Sequence, residues 1–124
     1  MRVGILVLAV SAGLAVAAPA SARTLDASAK EVAADCRALV TATPPQTFGV
    51  GLCLGAFTTL FALSGVVDQN HVPILPFCRP PNVQYLDMVQ VFLRHVAAHP
   101  ETAQNFYAVE AVNALVDAYP CKPK

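Results

Sequence analysis

The sequence predicts an all-α domain: a small disulfide-stapled bundle of about four helices that follows a cleaved signal peptide. Three observations point there. Apolar residues recur at intervals of three and four in several separate segments beyond residue 28. Prolines punctuate those segments, at Pro44-Pro45, at Pro73, Pro76, Pro80 and Pro81, and at Pro100. No stretch alternates apolar and polar residues with the steady period of two that marks a half-buried strand.

The first element is an address. Residues 1–22 have the three-part layout of a secretory signal peptide: Arg2 as the positive start, an apolar run from Ile5 through Val16, and the small residues Ala20-Ser21-Ala22 before the cleavage point. Cleavage is expected after Ala22, which leaves 23–124 as a single domain and places it in the periplasm. The run is too short and too interrupted, by Ser11, Gly13 and Pro19, to read as a permanent membrane anchor.

Helix one is expected over Ala29 to Val40. Ser28 and Glu31 have capping-box spacing, and Val32, Cys36, Leu39 and Val40 form one apolar stripe. Next, Phe48 to Val67 is an uncharged run of 20 residues. Its length would allow a membrane span. Its four glycines, Gly49, Gly51, Gly55 and Gly65, its Thr58, Thr59 and Ser64, and the lack of flanking basic residues favour a buried central helix instead. Gly51 and Gly55 would let another helix approach closely. Residues 68–82 form a long connection whose four prolines exclude a regular helix. Connections of this length are frequently functional. Asn82 is the expected cap of helix three, about Val83 to Ala98, with an apolar face of Tyr85, Leu86, Val89, Phe92, Leu93 and Val96. Helix four is expected from about Thr102 to Ala118, with Phe106, Val109, Val112, Leu115, Val116 and Tyr119 as its stripe and Pro120 as its stop. The short link through His99-Pro100 makes the last two helices antiparallel neighbours.

Composition narrows the function classes. Eight basic residues against eight acidic give zero formal charge, so there is no excess to neutralise nucleic-acid phosphates. A 56% hydrophobic content excludes a disordered chain. Near-neutral charge favours association. Four cysteines, Cys36, Cys53, Cys78 and Cys121, are an even set in an exported chain and imply two bridges, with all three pairings open. They contain no C-x-x-C pair, which argues against a zinc cluster. No histidine among His71, His95 and His99 has a context that would make any of them a catalytic thiol's base.

His95 and His99 have the i, i+4 spacing that can hold a transition metal. With only Glu101 nearby they read as solvated histidines at a helix C-terminus, and no metal or cofactor is expected. There is no Ser-His-Asp arrangement or phosphate-binding glycine loop, and Gly49-x-Gly51-x-x-x-Gly55 lacks the preceding strand of a dinucleotide fingerprint. Asp68, Asp87 and Asp117 fall on separate elements. The expectation is a non-enzyme.

The cysteine contexts, taken in order, carry a family resemblance. After Cys36 come Leu52-Cys53-Leu54-Gly55-Ala56-Phe57 and Ala62-Leu63-Ser64-Gly65, then Cys78-Arg79-Pro80, Phe92-Leu93-Arg94-His95 and His99-Pro100-Glu101, and finally Tyr119-Pro120-Cys121. Over roughly Ala33 to Cys121 the chain resembles the Rap/Tai family of type VI secretion immunity proteins. It is a divergent member, with Leu52 and Ala56 where the family motif Phe-Cys-x-Gly-Tyr has aromatic residues. The resemblance implies a periplasmic inhibitor that binds a secreted cell-wall (peptidoglycan) amidase effector and blocks its cleft, commonly as a homodimer with an inserted loop. The neutral charge balance and the interrupted 48–67 run add the expectation of no nucleic-acid partner and no stable membrane insertion. The candidate plug is the Asp68–Pro76 loop, with Asp68, Gln69, Asn70, His71 and Val72 as the partner-binding residues and Gln69, Asn70 and His71 at the tip. The alternative is a periplasmic helical chaperone or stress-response module without an enzyme target, similar in architecture to the Hde acid-stress chaperones. Eight acidic residues and three histidines make a weak acid switch.

Overall fold

A computed structural model describes residues 27–122; the signal peptide expected over residues 1–22 lies outside them. Four α-helices follow one another: α1 (Ala29–Leu39), α2 (Phe48–Leu63), α3 (Tyr85–Ala98) and α4 (Tyr107–Ala118), with a short 3₁₀ turn at Pro100–Thr102. Among the described residues there is no strand, and two isolated antiparallel bridges join Ser28 with Phe106 and Val67 with Pro73. The all-α class is as the hydrophobic periodicity implies.

Helix α1 starts where the capping box places it. The Ser28 Oγ accepts from the Glu31 N–H at 3.3 Å, and the Glu31 carboxylate accepts from the Ser28 N–H at 2.9 Å. Two further first-turn donors are satisfied from a distant part of the chain. Ala29 N–H donates to Asn105 O at 2.9 Å, and Lys30 N–H donates to Ala103 O at 2.8 Å. The connection between α3 and α4 therefore closes the start of α1, supplying partners for groups that a helix terminus otherwise leaves unpaired.

The core is one cluster. Val32, Ala33 and Cys36 of α1, Cys53 and Phe57 of α2, Phe77 from the long connection, Met88, Val89, Phe92 and Val96 of α3, and Ala111, Ala114 and Leu115 of α4 are buried in it. Phe57 and Phe92 lie with ring centroids 5.4 Å apart at a 46° tilt. Burying a side chain of this size contributes about 1.5–3 kcal/mol. The bridge Cys36–Cys53 joins α1 to α2 inside the core, and Cys78–Cys121 joins the entrance of α3 to the chain beyond α4. Of the three pairings open in the sequence, the fold selects the one that links sequence neighbours.

Three elements differ from their sequence expectations. Helix α2 ends at Leu63 and is not buried all round: Gly49, Val50, Cys53 and Phe57 face the core, whereas Phe48, Gly51, Leu54, Gly55 and Thr59 are exposed. A uniformly apolar helix has no stripe from which to read the buried side, and α1 and α3 cover one side only. Among the described residues no helix is long and apolar enough to cross a membrane. Helix α3 begins at Tyr85 rather than Val83, because the Asp87 carboxylate accepts from the Gln84 N–H at 2.7 Å and fixes the first turn there instead of at Asn82. Helix α4 begins at Tyr107 rather than Thr102, and it buries Glu110, Ala111, Ala114 and Leu115 while Phe106 and Val109 stay exposed. Small alanines let α4 sit close to its neighbours, a choice that a stripe of large residues does not reveal.

The three helical glycines of α2 separate by what surrounds them. A Cβ on Gly49 would collide with the Asp35 carboxylate of α1. Gly51 and Gly55 face open space. Gly51→Ala and Gly55→Ala are expected to stabilise by about 0.5–1 kcal/mol each, raising Tm by about 2–8 °C, because alanine is the better helix former. Gly49→Ala is expected to lower Tm; calorimetry on the three variants checks the contrast.

Candidate functional site

The long connection is a short hairpin on a clamped base. Asp68 builds its tip. One of its carboxylate oxygens accepts from the Asn70 N–H at 2.8 Å and from the Val72 N–H at 2.9 Å. Asp68 N–H donates to Val72 O at 2.8 Å, His71 N–H to Asp68 O at 3.0 Å, and Ile74 N–H to Val66 O at 3.2 Å. His71 takes the left-handed conformation, φ 60°, which turns the chain back on itself. An aspartate is suited to this place because its short carboxylate can replace the backbone acceptors that a tight turn lacks.

Asp68, Gln69, Asn70, His71 and Val72 are all exposed, as the reading of the loop requires. The turn brings Asp68, Asn70, His71 and Val72 together through backbone bonds and the Asp68 carboxylate, with Gln69 between Asp68 and Asn70. Val66, Val67, Val72 and Ile74 form apolar shoulders below the polar tip, each 43–50% exposed.

The base is anchored three ways. Phe77 is fully buried in the core. Cys78 is bonded to Cys121, and its N–H donates to Tyr119 O at 2.8 Å. Arg79 closes the gap to α2: its Nε donates to Ser64 Oγ at 2.8 Å, its Nη1 donates to Val83 O at 2.8 Å, and its guanidinium lies 4.1 Å from the centroid of the Phe61 ring. A planar guanidinium can donate along its edge and stack on a ring face at once, which lysine cannot do. The sequence marked Arg79 only as part of a motif.

A second polar group lies within the helices. Glu110 is 3% exposed, and its carboxylate accepts from Thr102 Oγ1 at 3.0 Å and Asn105 Nδ2 at 2.9 Å, with His95 Nε2 at 3.0 Å. The Asn105 amide, reinforced by His95 and Thr102, holds the Glu110 carboxyl below its ordinary value of 4.5, against the opposing effect of burial. His95 and His99 are therefore not an equivalent solvated pair. His95 is 12% exposed and turned to Glu110, whereas His99 is 46% exposed and meets Glu101 at 3.1 Å. Among the described residues no group of three or more His, Cys, Asp or Glu is placed to hold a metal ion. Glu110 was missed because nothing in its surroundings in the sequence suggests chemistry. The available signal was its position: an acidic residue one turn before Ala114 on the apolar side of a helix.

The structure is thus a small disulfide-bridged all-α domain with an exposed hairpin on an anchored base. The family model described as Rap1a immunity proteins matches residues 28–121, and the chain belongs to that family. Neither a curated protein nor a solved structure gives a significant match. Membership gives the chain a toxin-immunity function and a cognate effector protein as its partner. The family is generally non-enzymatic, and together with the two bridges it marks the protein as extracytoplasmic.

The Glu110 cluster generates a pH prediction. A carboxylate whose folded value is depressed adds stability that is fully present above pH 4.5 and is lost as pH falls through the lower folded value. Glu110→Gln should cost about 1–3 kcal/mol at pH 7, because three partners lose a charged acceptor. It should also flatten the fall in stability below pH 4.5. Urea denaturation of both proteins at neutral and acidic pH measures both effects.

Proposed function

We propose that this protein is a periplasmic immunity protein that binds a type VI-secreted peptidoglycan amidase and occludes its active-site cleft with the hairpin centred on residues 68–72. The observation that carries the reading is the hairpin itself, exposed at its tip and locked at its base. A loop already held in one conformation loses little entropy on binding, so more of its contact energy appears as affinity. The tip offers side-chain donors and acceptors from Gln69, Asn70 and His71, and the valine and isoleucine shoulders offer apolar area around it. Such a polar centre on apolar flanks suits a cleft built to take a peptide.

A homodimer is part of the reading. The exposed face of α2 carries no charge along its whole length, so two copies could meet there without opposing charges. Sedimentation of the mature protein at micromolar concentration is expected to give twice the chain mass; a persistent monomer would remove the dimer and leave the hairpin reading intact.

The direct test is capture from an osmotic-shock fraction. The oxidised protein is expected to hold a cell-wall amidase tightly and abolish its activity. Replacing Gln69, Asn70 and His71 together by alanine is expected to weaken binding by tenfold or more with the far-UV helix signal unchanged, since the four helices do not depend on these side chains. Unchanged affinity would remove the hairpin from the interface, and failure to bind any amidase would direct the search to other effector classes.

A further inference from the structure

The two disulfides occupy opposite environments. Cys36 and Cys53 are 0% exposed, enclosed between α1 and α2 in the core. Cys78 is half-buried and Cys121 is exposed, in the non-helical chain beyond α4. Thiol–disulfide exchange needs a thiolate to reach one sulfur of the bridge, so access decides which bridge reacts. The core bridge offers no approach without unfolding, whereas the outer one does.

We propose that Cys78–Cys121 is a thiol–disulfide exchange site, opened by a dithiol reductant while Cys36–Cys53 stays closed. A thiolate of the reductant attacks the Cys121 Sγ, the S–S bond breaks, and Cys78 leaves as a thiolate that takes up a proton. The reductant's second thiol gives up its proton and attacks the mixed disulfide. It forms the reductant's own disulfide and releases Cys121 as a thiolate, which is protonated in turn. The bridge gains two electrons and two protons, and the dithiol loses the same.

The position of the bridge says what its opening changes. Cys78 follows Phe77, the buried anchor of the hairpin, and precedes Arg79, which ties the base to α2. Its partner lies just past Tyr119, whose carbonyl accepts from the Cys78 N–H. Opening the bridge frees the tail beyond Tyr119 and removes the covalent part of one of the three anchors of the hairpin base. The four helices keep their core and their inner bridge. The site is thus a control on how firmly the hairpin is held. Its consequence for partner binding rests on the function proposed above, but its chemistry and its effect on the hairpin do not.

The test therefore uses the protein without a partner. The oxidised full domain is treated with dithiothreitol in the absence of denaturant, quenched at intervals with iodoacetamide, and read by peptide mass spectrometry. Cys78 and Cys121 are expected to be alkylated at least tenfold faster than Cys36 and Cys53. Simultaneous labelling of both pairs, or earlier labelling of the core pair, would overturn the assignment. In a Cys78→Ser, Cys121→Ser double variant, hydrogen exchange at the Asp68 and Ile74 amides and at the amide of position 78 is expected to rise at least tenfold, with α1 and α2 unchanged. Unchanged exchange in the hairpin, or lost protection throughout the molecule, would show that the bridge does not control the hairpin.

Discussion

The fold depends on one buried carboxylate. Glu110 gathers His95 from α3, Thr102 from the 3₁₀ turn and Asn105 from the connection onto a helix whose other buried residues are Ala111, Ala114 and Leu115. The connection fixed in this way turns Ala103 O and Asn105 O toward the first amides of α1. A charge in an apolar interior is tolerated only when its hydrogen-bonding capacity is filled. Here filling it also sets where three helices meet. The hydrophobic core supplies most of the favourable free energy, but apolar contacts are non-directional. The carboxylate supplies direction, and α1 is aligned to the last third of the chain through it.

At the other anchored segment the same economy appears in different chemistry. The hairpin of residues 66–74 has too few backbone pairs to hold itself, and two-stranded ribbons of that size are marginal alone. Asp68 stiffens the tip, while Phe77, Cys78 and Arg79 fix the base through burial, a covalent bond and a guanidinium that spans to Ser64 and Phe61. These anchors use unrelated physics, so conditions that weaken one, such as salt for Arg79, leave the others in place. A hairpin with this redundancy keeps its shape without a partner, which is what the proposed role asks of it.

Much of this was legible in the sequence, and the parts that were not share a cause. The capping box at Ser28 and the proline-rich connection each announce themselves within a few residues, because local backbone chemistry decides them. The face of α3 was legible at Val89, Phe92, Leu93 and Val96, but Leu86 is exposed and Met88 and Val91 are buried instead. The end of α2 at Leu63 and the inward side of that helix were hidden, since an apolar run gives the same pattern whichever face is covered. The start of α4 was hidden because Thr102 and Asn105 look like ordinary helix-start residues, yet both are committed to Glu110. The cysteine pairing needed three-dimensional proximity. The loop's position was visible from its prolines and its exposed polar tip, whereas the clamp beneath it depends on Arg79 reaching across 15 positions to Ser64.

The two disulfides also set an order of events during synthesis. Cys36 and Cys53 are 17 positions apart, so both are present once the first half of the domain has been made. Cys78 must wait 43 positions for Cys121. Chains emerge from the N-terminus onward and close local contacts first. In an oxidising compartment the inner bridge can form before α3 and α4 have emerged, and the outer one only after α4 has. A closed outer bridge is then a record of passage: every copy that carries it has emerged at least as far as Cys121.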